Sequence, residues 1–290
     1  MGDDPQTVAV LGAGGTMGRG MSANIARAGL TVRAWNRSRE KAEPLAELGA
    51  DVCDEPGRAA AGADVVITIL SDADAVLDVA RAALGEQAPG AIWLQMSTIG
   101  IEGTQACAEL AAQRGLTFVD APVLGTKQPA EKGELVVLAS GPDAVRGRLA
   151  PVLDAVGQRT LWAGDAGQAS RLKLVTNAWI AAVVEGAAES LALAQGLGVD
   201  PALFLEAVSG GPLDLPYLQL KGTAMLQGEF APSFRLALAA KDTRLVRAAA
   251  DGAGLDLPLI AAVAERFATA AAEHGDKDIS AVFLASAPGR

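Results

Sequence analysis

The stretch Val8-Ala9-Val10-Leu11-Gly12-Ala13-Gly14-Gly15-Thr16-Met17-Gly18 decides the fold. Its four apolar residues read as a strand, its glycines as a tight turn, and the Ala-rich continuation as a helix. Gly12 permits the reversal, Gly14 lets the backbone approach a pyrophosphate, and Gly18 lets the helix pack on the strand. The helix start then offers N–H groups to the phosphates. The spacing is GxGxxxG, one residue longer than the common GxGxxG, so the register of the phosphate contacts does not follow from the motif. A plain turn is the competing reading. The strand before, the helix after and a second strand on schedule favour a dinucleotide site.

The same alternation continues outward to about residue 163. Short apolar runs (Val8–Leu11, Thr31–Ala34, Val65–Leu70, Ala91–Gln95, Thr117–Val119, Leu135–Ala139) are separated by helical stretches (Met17–Ala28, Lys41–Leu48, Ala73–Leu84, Ile101–Arg114, Ala144–Val156). Runs apolar on both faces predict a doubly wound, mostly parallel α/β sheet covered on both sides. From Ala166 to Leu197 there is no proline, and Val, Ile, Leu and Ala recur around the whole helix circumference. Such a helix is expected to be buried on all sides, by its own domain or by a second subunit. Further helices are expected near Pro201–Val208, Pro216–Gln227, Leu238–Asp251 and Leu257–His274. The expected division is residues 1–164 for the dinucleotide-binding domain and 165–290 for an all-α domain.

After the second run the chain reads Ala34-Trp35-Asn36-Arg37-Ser38-Arg39. An NAD site usually carries Asp or Glu here for the ribose 2′-hydroxyl. An acid would repel a 2′-phosphate, whereas Arg37 can fork onto one and Ser38 can add a hydroxyl. The reading is therefore NADP(H) over NAD(H), against an ordinary exposed basic turn. Later strand ends also carry polar groups where a doubly wound sheet holds its ligands. These are Leu70-Ser71-Asp72, where a helix N-cap competes with ligand contact, and Ser97-Thr98.

Composition excludes other classes. The net charge of −10 disfavours nucleic acid and anionic membranes as partners. Two cysteines, Cys53 and Cys107, and the single His274 give neither a disulfide framework nor a zinc-ligand set, so no metal is expected. A Ser-His-Asp hydrolase would have His274 as its only base. Met1–Thr7 lacks the basic and apolar regions of a signal peptide, and no apolar run reaches spanning length, so a cytoplasmic protein is expected.

Lys173 and Asn177 lie four apart on the long helix and share a face. The neighbours Leu172, Leu174, Val175 and Trp179 are apolar. A charge in that setting must be paired, hydrogen-bonded or lining a cavity. A Lys ammonium beside a carbonyl oxygen stabilises the charge that hydride transfer develops there and can donate the proton.

Taken with these residues, the sequence resembles the β-hydroxyacid dehydrogenase family, which includes 3-hydroxyisobutyrate dehydrogenase. The resemblance covers essentially the whole chain. Its carriers are the Met17-Gly18 turn, Asp120-Ala121-Pro122-Val123, Gly167 through Lys173 to Asn177, Lys241-Asp242 and Asp278-Ile279-Ser280-Ala281. Residues 125–133 are similar to the glyoxylate/succinic semialdehyde reductase branch. The resemblance implies a Rossmann domain followed by an all-helical domain that makes a homodimer or homotetramer. It implies Lys173 and Asn177 as catalytic residues. Cofactor contacts would come from Gly12, Gly14, Gly15, Thr16, Met17, Asn36, Arg37, Ser38, Leu70, Ser71, Thr98 and Lys241. Leu124, Gly125, Thr126, Phe234 and Asp242 would contact substrate. Leu124 departs from the family, which usually has a Ser there to hold the substrate carboxylate. The implied activity is NADPH-dependent reduction of a small aldehyde or keto acid. Two alternatives stand beside it. One is imine reduction, whose enzymes generally replace the lysine that Lys173 retains. The other is a non-catalytic NADP-binding scaffold.

Overall fold

A computed structural model of the chain describes residues 5–286; the first four residues of the Met1–Thr7 segment lie outside them. The glycine-rich stretch sits at the centre of the first unit. Strand β1 (Thr7–Leu11) runs through the turn into α1 (Thr16–Arg27), and β2 (Thr31–Trp35) follows. Next come β3 (Asp51–Cys53), α2 (Pro56–Ala60), β4 (Val65–Thr68), α3 (Ala73–Ala83), β5 (Ile92–Gln95), α4 (Gly100–Gln113) and β6 (Thr117–Asp120). These six strands form one parallel sheet in the order β3-β2-β1-β4-β5-β6. Both faces are buried, which is why the runs are apolar throughout. Val8 and Val10 pack with Met21 and Ile25 on one side, while Ala9 and Leu11 pack with Val76 and Trp93 on the other.

Two details of the first unit differ from the sequence expectation. Leu135–Ala139 does not join the parallel sheet. As β8 it lies in a second sheet between β7 (Val123–Leu124), antiparallel to it, and β9 (Gly157–Trp162), parallel to it. α5 (Lys127–Lys132) connects β7 to β8, and α6 (Arg146–Val156) leads straight into β9. Lys41–Leu48 is not an α-helix but two 3-10 segments, Arg39–Lys41 and Glu43–Leu48, the second with a proline in its first turn; Pro44 brings no N–H to a helical ladder.

The second unit begins inside α7 (Gln168–Gly196), a continuous helix of 29 residues, and the division falls between Lys173 and Leu174. α8 (Ala202–Val208), α9 (Pro216–Gln227), α10 (Leu236–Gly252), α11 (Pro258–His274) and α12 (Phe283–Ser286) complete it. Ala181, Val184, Ala188 and Leu191 of α7 pack with Leu236, Phe267 and Ile279. Of the two ways in which the sequence expects α7 to be covered, by its own domain or by a second subunit, its own unit supplies only part. Val175, Trp179 and Leu193 are 66%, 64% and 62% exposed and fall on one stripe that the unit leaves open. No helix among the described residues is long and apolar enough to cross a membrane.

Candidate active site

The glycine turn is shaped by what its glycines exclude. Gly12 has φ +103°, and a Cβ there would lie 2.2 Å from the Ile69 carbonyl oxygen. A Cβ on Gly18 would lie 2.1 Å from the Gly12 oxygen, so the helix start packs against the turn only because that position is Gly. A Cβ on Gly14 would meet Lys41 Cβ at 2.7 Å and Asn36 Cγ at 2.9 Å. The N–H groups of Gly12 and Ala13 both donate to the Trp35 carbonyl, at 2.9 and 3.0 Å, and Gly14 N–H donates to Asn36 Oδ1 at 3.2 Å. The turn therefore spends its first three donors on the end of β2. Gly15, which caps α1, donates its own N–H to the Gly12 carbonyl at 3.0 Å. The expectation that Gly15 contacts a phosphate through its N–H is thereby corrected, and the anion donors left to the turn begin at Thr16 and continue into Met17. No side chain caps this helix start, and its first turn carries no acid, so the positive end of the helix dipole stays available to an anion.

The residues after β2 divide by role. Asn36 bridges Gly14 and the Ser38 carbonyl, to which its amide nitrogen donates at 2.8 Å. Arg39 is engaged with Asp54 at 2.9 Å and Glu43 at 3.7 Å. Arg37 is exposed and makes no ion pair among the described residues. Lys41, which the sequence reading missed, is brought against Gly14 by the 3-10 segment. No local pattern marks it, because only the turn geometry puts it there.

A buried network holds the next strand ends. Gln95 Oε1 accepts the Ser97 N–H at 2.7 Å, Gln95 Nε2 donates to the Ser97 carbonyl at 2.8 Å, and Ser97 Oγ accepts the Leu70 N–H at 2.8 Å. Leu70 is thus pinned beside Gly12. Ser71 donates to Asp72 at 2.7 Å, and Asp72 accepts the Ala75 N–H at 2.9 Å, capping α3. Thr98 is half-buried directly after Ser97. Leu124 is half-buried in β7, opposite Val136, and Thr126 precedes α5.

On α7, Lys173 is 9% exposed and Asn177 6%. Within the second unit Asn177 Nδ2 donates to Asp242 Oδ2 at 2.9 Å, and Lys241 Nζ lies 3.1 Å from Asp242 Oδ1. Asn177, Asp242 and Phe234 border a cavity of about 10 Å³, otherwise lined by Ile180, Phe267 and Ile279 among others. Phe234 is set by a carboxylate to which the sequence assigns no role of its own: Asp278 Oδ2 accepts the Phe234 N–H at 3.2 Å, and Asp278 Oδ1 pairs with Lys221 at 2.7 Å.

The strand order, with its reversal beside β1, a helix start without a side-chain cap, and the exposed Arg37 that follows β2 fit a nicotinamide dinucleotide. The fold and these residues define an oxidoreductase that uses one. Comparison with known proteins gives the family. Residues 7–164 match the NAD-binding domain of 6-phosphogluconate dehydrogenase, and residues 167–285 match the NAD-binding domain of NADP-dependent 3-hydroxyisobutyrate dehydrogenase. Glyoxylate/succinic semialdehyde reductase 1 of Arabidopsis thaliana is 33% identical over 93% of this chain and 95% of its own length. The chloroplastic reductase 2 of the same plant is 32% identical over 93% of this chain and 77% of its own. 3-Hydroxyisobutyrate dehydrogenase of Mycobacterium tuberculosis, solved with L-serine, superposes with a TM-score of 0.88 at 30% identity, covering 97% of this chain and 99% of that one. The chain belongs to the 3-hydroxyisobutyrate dehydrogenase-type family of β-hydroxyacid dehydrogenases. It is an NAD(P)-dependent dehydrogenase or reductase acting on CH–OH groups, with NADP(H) as cofactor.

Proposed function

We propose that the protein reduces a small aldehyde or keto acid with NADPH, and that Lys173 donates the proton to the carbonyl oxygen. The observation that carries this reading is a lysine only 9% exposed on a continuous helix, one turn before an equally buried Asn177. When bound, NADPH supplies the hydride. Lys173 stabilises the charge that develops on the oxygen and protonates it. Asn177 has its amide nitrogen committed to Asp242, which turns its oxygen into the atom that fixes Lys173. Thr16 and Met17 hold the pyrophosphate through their N–H groups, and Gly15, whose N–H closes the turn onto Gly12, lies beside them without a side chain in the way. Arg37 and Ser38 take the 2′-phosphate, with Asn36 setting their backbone. Leu70, Ser71, Thr98 and Lys241 line the cofactor. Gly12 and Gly14 keep the turn tight enough for it.

Substrate contacts are assigned to Leu124, Gly125 and Thr126 in the first unit, and to Phe234 and Asp242 in the second. Leu124 has no hydroxyl to offer a carboxylate, which supports a substrate less polar than a simple hydroxyacid. The open stripe of Val175, Trp179 and Leu193 supports a homodimer or homotetramer. One assay tests the core of the reading: loss of NADPH absorbance on a panel of aldehydes, keto acids and cyclic imines. Lys173→Ala should lower kcat on the best carbonyl by about 10²- to 10⁴-fold without weakening NADPH binding. Arg37→Ala should raise the KM for NADPH by about 10- to 100-fold and leave that for NADH unchanged. Carbonyl reduction near the wild-type rate in Lys173→Ala, or turnover of imines alone, would sink it.

A further inference from the structure

Three residues before Lys173, the first turn of α7 is tied to the end of β6. Asp120, the last residue of β6, is fully buried. Its Oδ2 accepts the Ser170 N–H at 2.7 Å, and its Oδ1 lies 2.8 Å from Ser170 Oγ. Ser140 completes the clamp. It exchanges both backbone hydrogen bonds with Asp120, at 2.8 and 3.0 Å, and its Oγ accepts the N–H groups of Gly167 and Ala169 at 3.1 and 3.0 Å. Together, Asp120 and Ser140 take three N–H groups from the turn that begins α7.

With Asp120 ionised, this cluster is one proton short. Ser170 Oγ also lies 2.9 Å from Thr104 Oγ, and Thr104 Oγ donates to the Gly100 carbonyl at 2.7 Å. That makes three contacts in a row, from Asp120 Oδ1 through the two hydroxyls to a carbonyl that can only accept. Each needs one proton, and the hydroxyls hold only two. The row closes when the carboxyl brings the third. Asp120 then donates to Ser170, Ser170 to Thr104, and Thr104 to Gly100.

We propose that Asp120 is a positioning residue for Lys173, and that it holds the first turn of α7 most firmly as the neutral acid. The proposal rests on Lys173 being the proton donor. Burial raises the Asp120 carboxyl to about 6, against the pull of Ser170, Ser140 and Arg171. The charged and titratable groups that face it are Arg171 on α7 and Cys107 on α4, whose own thiol burial and Asp120 push up to about 12. Once Asp120 ionises, one of the three contacts loses its proton. Ser170 then gives its proton to Asp120 and Thr104 gives its own to Gly100, so the tie between the α7 turn and Thr104 of α4 is the one lost, and Lys173 loses precision.

The test compares Asp120→Asn with wild type. An amide supplies N–H to Ser170 Oγ and still accepts the Ser170 N–H, but it never ionises. Wild-type kcat for carbonyl reduction at saturating NADPH should fall about three- to tenfold as pH rises through about 6. Asp120→Asn should keep the low-pH rate and lack that limb. The direct readout is ¹³C NMR of the cofactor-free protein labelled at aspartate carboxyls. One wild-type resonance should titrate near 6 and be missing from Asp120→Asn. A limb that persists in Asp120→Asn would overturn the proposal. So would an Asp120→Asn rate depressed at every pH with the fold intact, or an aspartate spectrum with no group titrating above about pH 5. The NMR experiment needs no turnover and reads the wild-type chain even where the variant does not fold. Failure of the Lys173 assignment would show instead in Lys173→Ala, with the titrating aspartate unchanged.

Discussion

Asp120 in the first unit and Asp278 in the second are both carboxylates sunk almost completely from solvent, yet the protein pushes them in opposite directions. Burial raises each of them. At Asp278 the Lys221 ammonium at 2.7 Å, together with N–H groups from Ser233 and Ser280, overcomes that push and brings the carboxyl down to about 2. The hydroxyls of Ser233 and Ser280 also donate to it, at 2.8 and 2.9 Å. At Asp120 the partners are serines and a more distant arginine, burial prevails, and the carboxyl rises to about 6. Hydrogen bonds from neutral donors soften the desolvation of a buried carboxylate, and a contact ammonium reverses it. One site is therefore a fixed strut beneath Phe234. The other is a clamp that changes its protonation near neutral pH.

The harshest way to break this contrast is to remove the ammonium. Lys221→Met leaves Asp278 charged, buried and without a counterion, and should destabilise the protein by about 3–5 kcal/mol. Pairing it with Asp278→Asn should recover part of that loss, because no charge is then stranded. Chemical denaturation of the two variants and the double variant measures it. A Lys221→Met cost below about 1 kcal/mol would mean that the pair is no more than a surface contact.

The next effect is smaller and runs the other way with pH. The folded pKa of Asp120, about 6, lies above its ordinary 3.8. The native state therefore binds a proton that the unfolded chain releases. That stabilisation is complete below about pH 4 and is lost as pH rises through about 6, a change of about 3 kcal/mol. Glu185, which burial and Glu189 raise to about 7 despite Arg266, contributes a loss of the same sign. Subtracting the profile of Asp120→Asn isolates the Asp120 share. A stability difference between the two proteins that stays flat from about pH 4 to 8 would remove the contrast.

The contrast also explains what the sequence discloses. The glycine turn and Arg37 are local signals: a few adjacent residues whose spacing has a steric or electrostatic meaning. Lys173 stands out because a lysine among Leu172, Leu174 and Val175 is locally anomalous. The network at Asp120 gives no such signal. Its partners Thr104, Ser140 and Ser170 are small hydroxyl residues 16, 20 and 50 positions away, and common residues brought together by topology look like nothing in a chain. The small second sheet is hidden for a related reason. Val123–Leu124 is too short to show a period, and Gly157–Trp162 follows α6 without a break and is largely exposed. The open stripe on α7 is masked differently: composition says that the helix is apolar all round, and only packing says which face its own unit covers.

The mildest variant sharpens the comparison most. Thr104→Val keeps the shape of the side chain and deletes the far end of the proton row. Ser170 then has a single acceptor for its proton, Asp120 Oδ1, and an ionised carboxylate serves that bond better than a neutral one. The cost in stability should be about 1 kcal/mol, the net worth of one hydrogen bond. The more telling outcome is the pKa. Asp120 should move down from about 6, towards the direction Asp278 already takes, though no cation has been added. The aspartate ¹³C titration reads that shift, and the kinetic limb should follow it to lower pH. An Asp120 titration left in place by Thr104→Val would mean that burial alone sets the carboxyl, and that the hydroxyl row has no say in it.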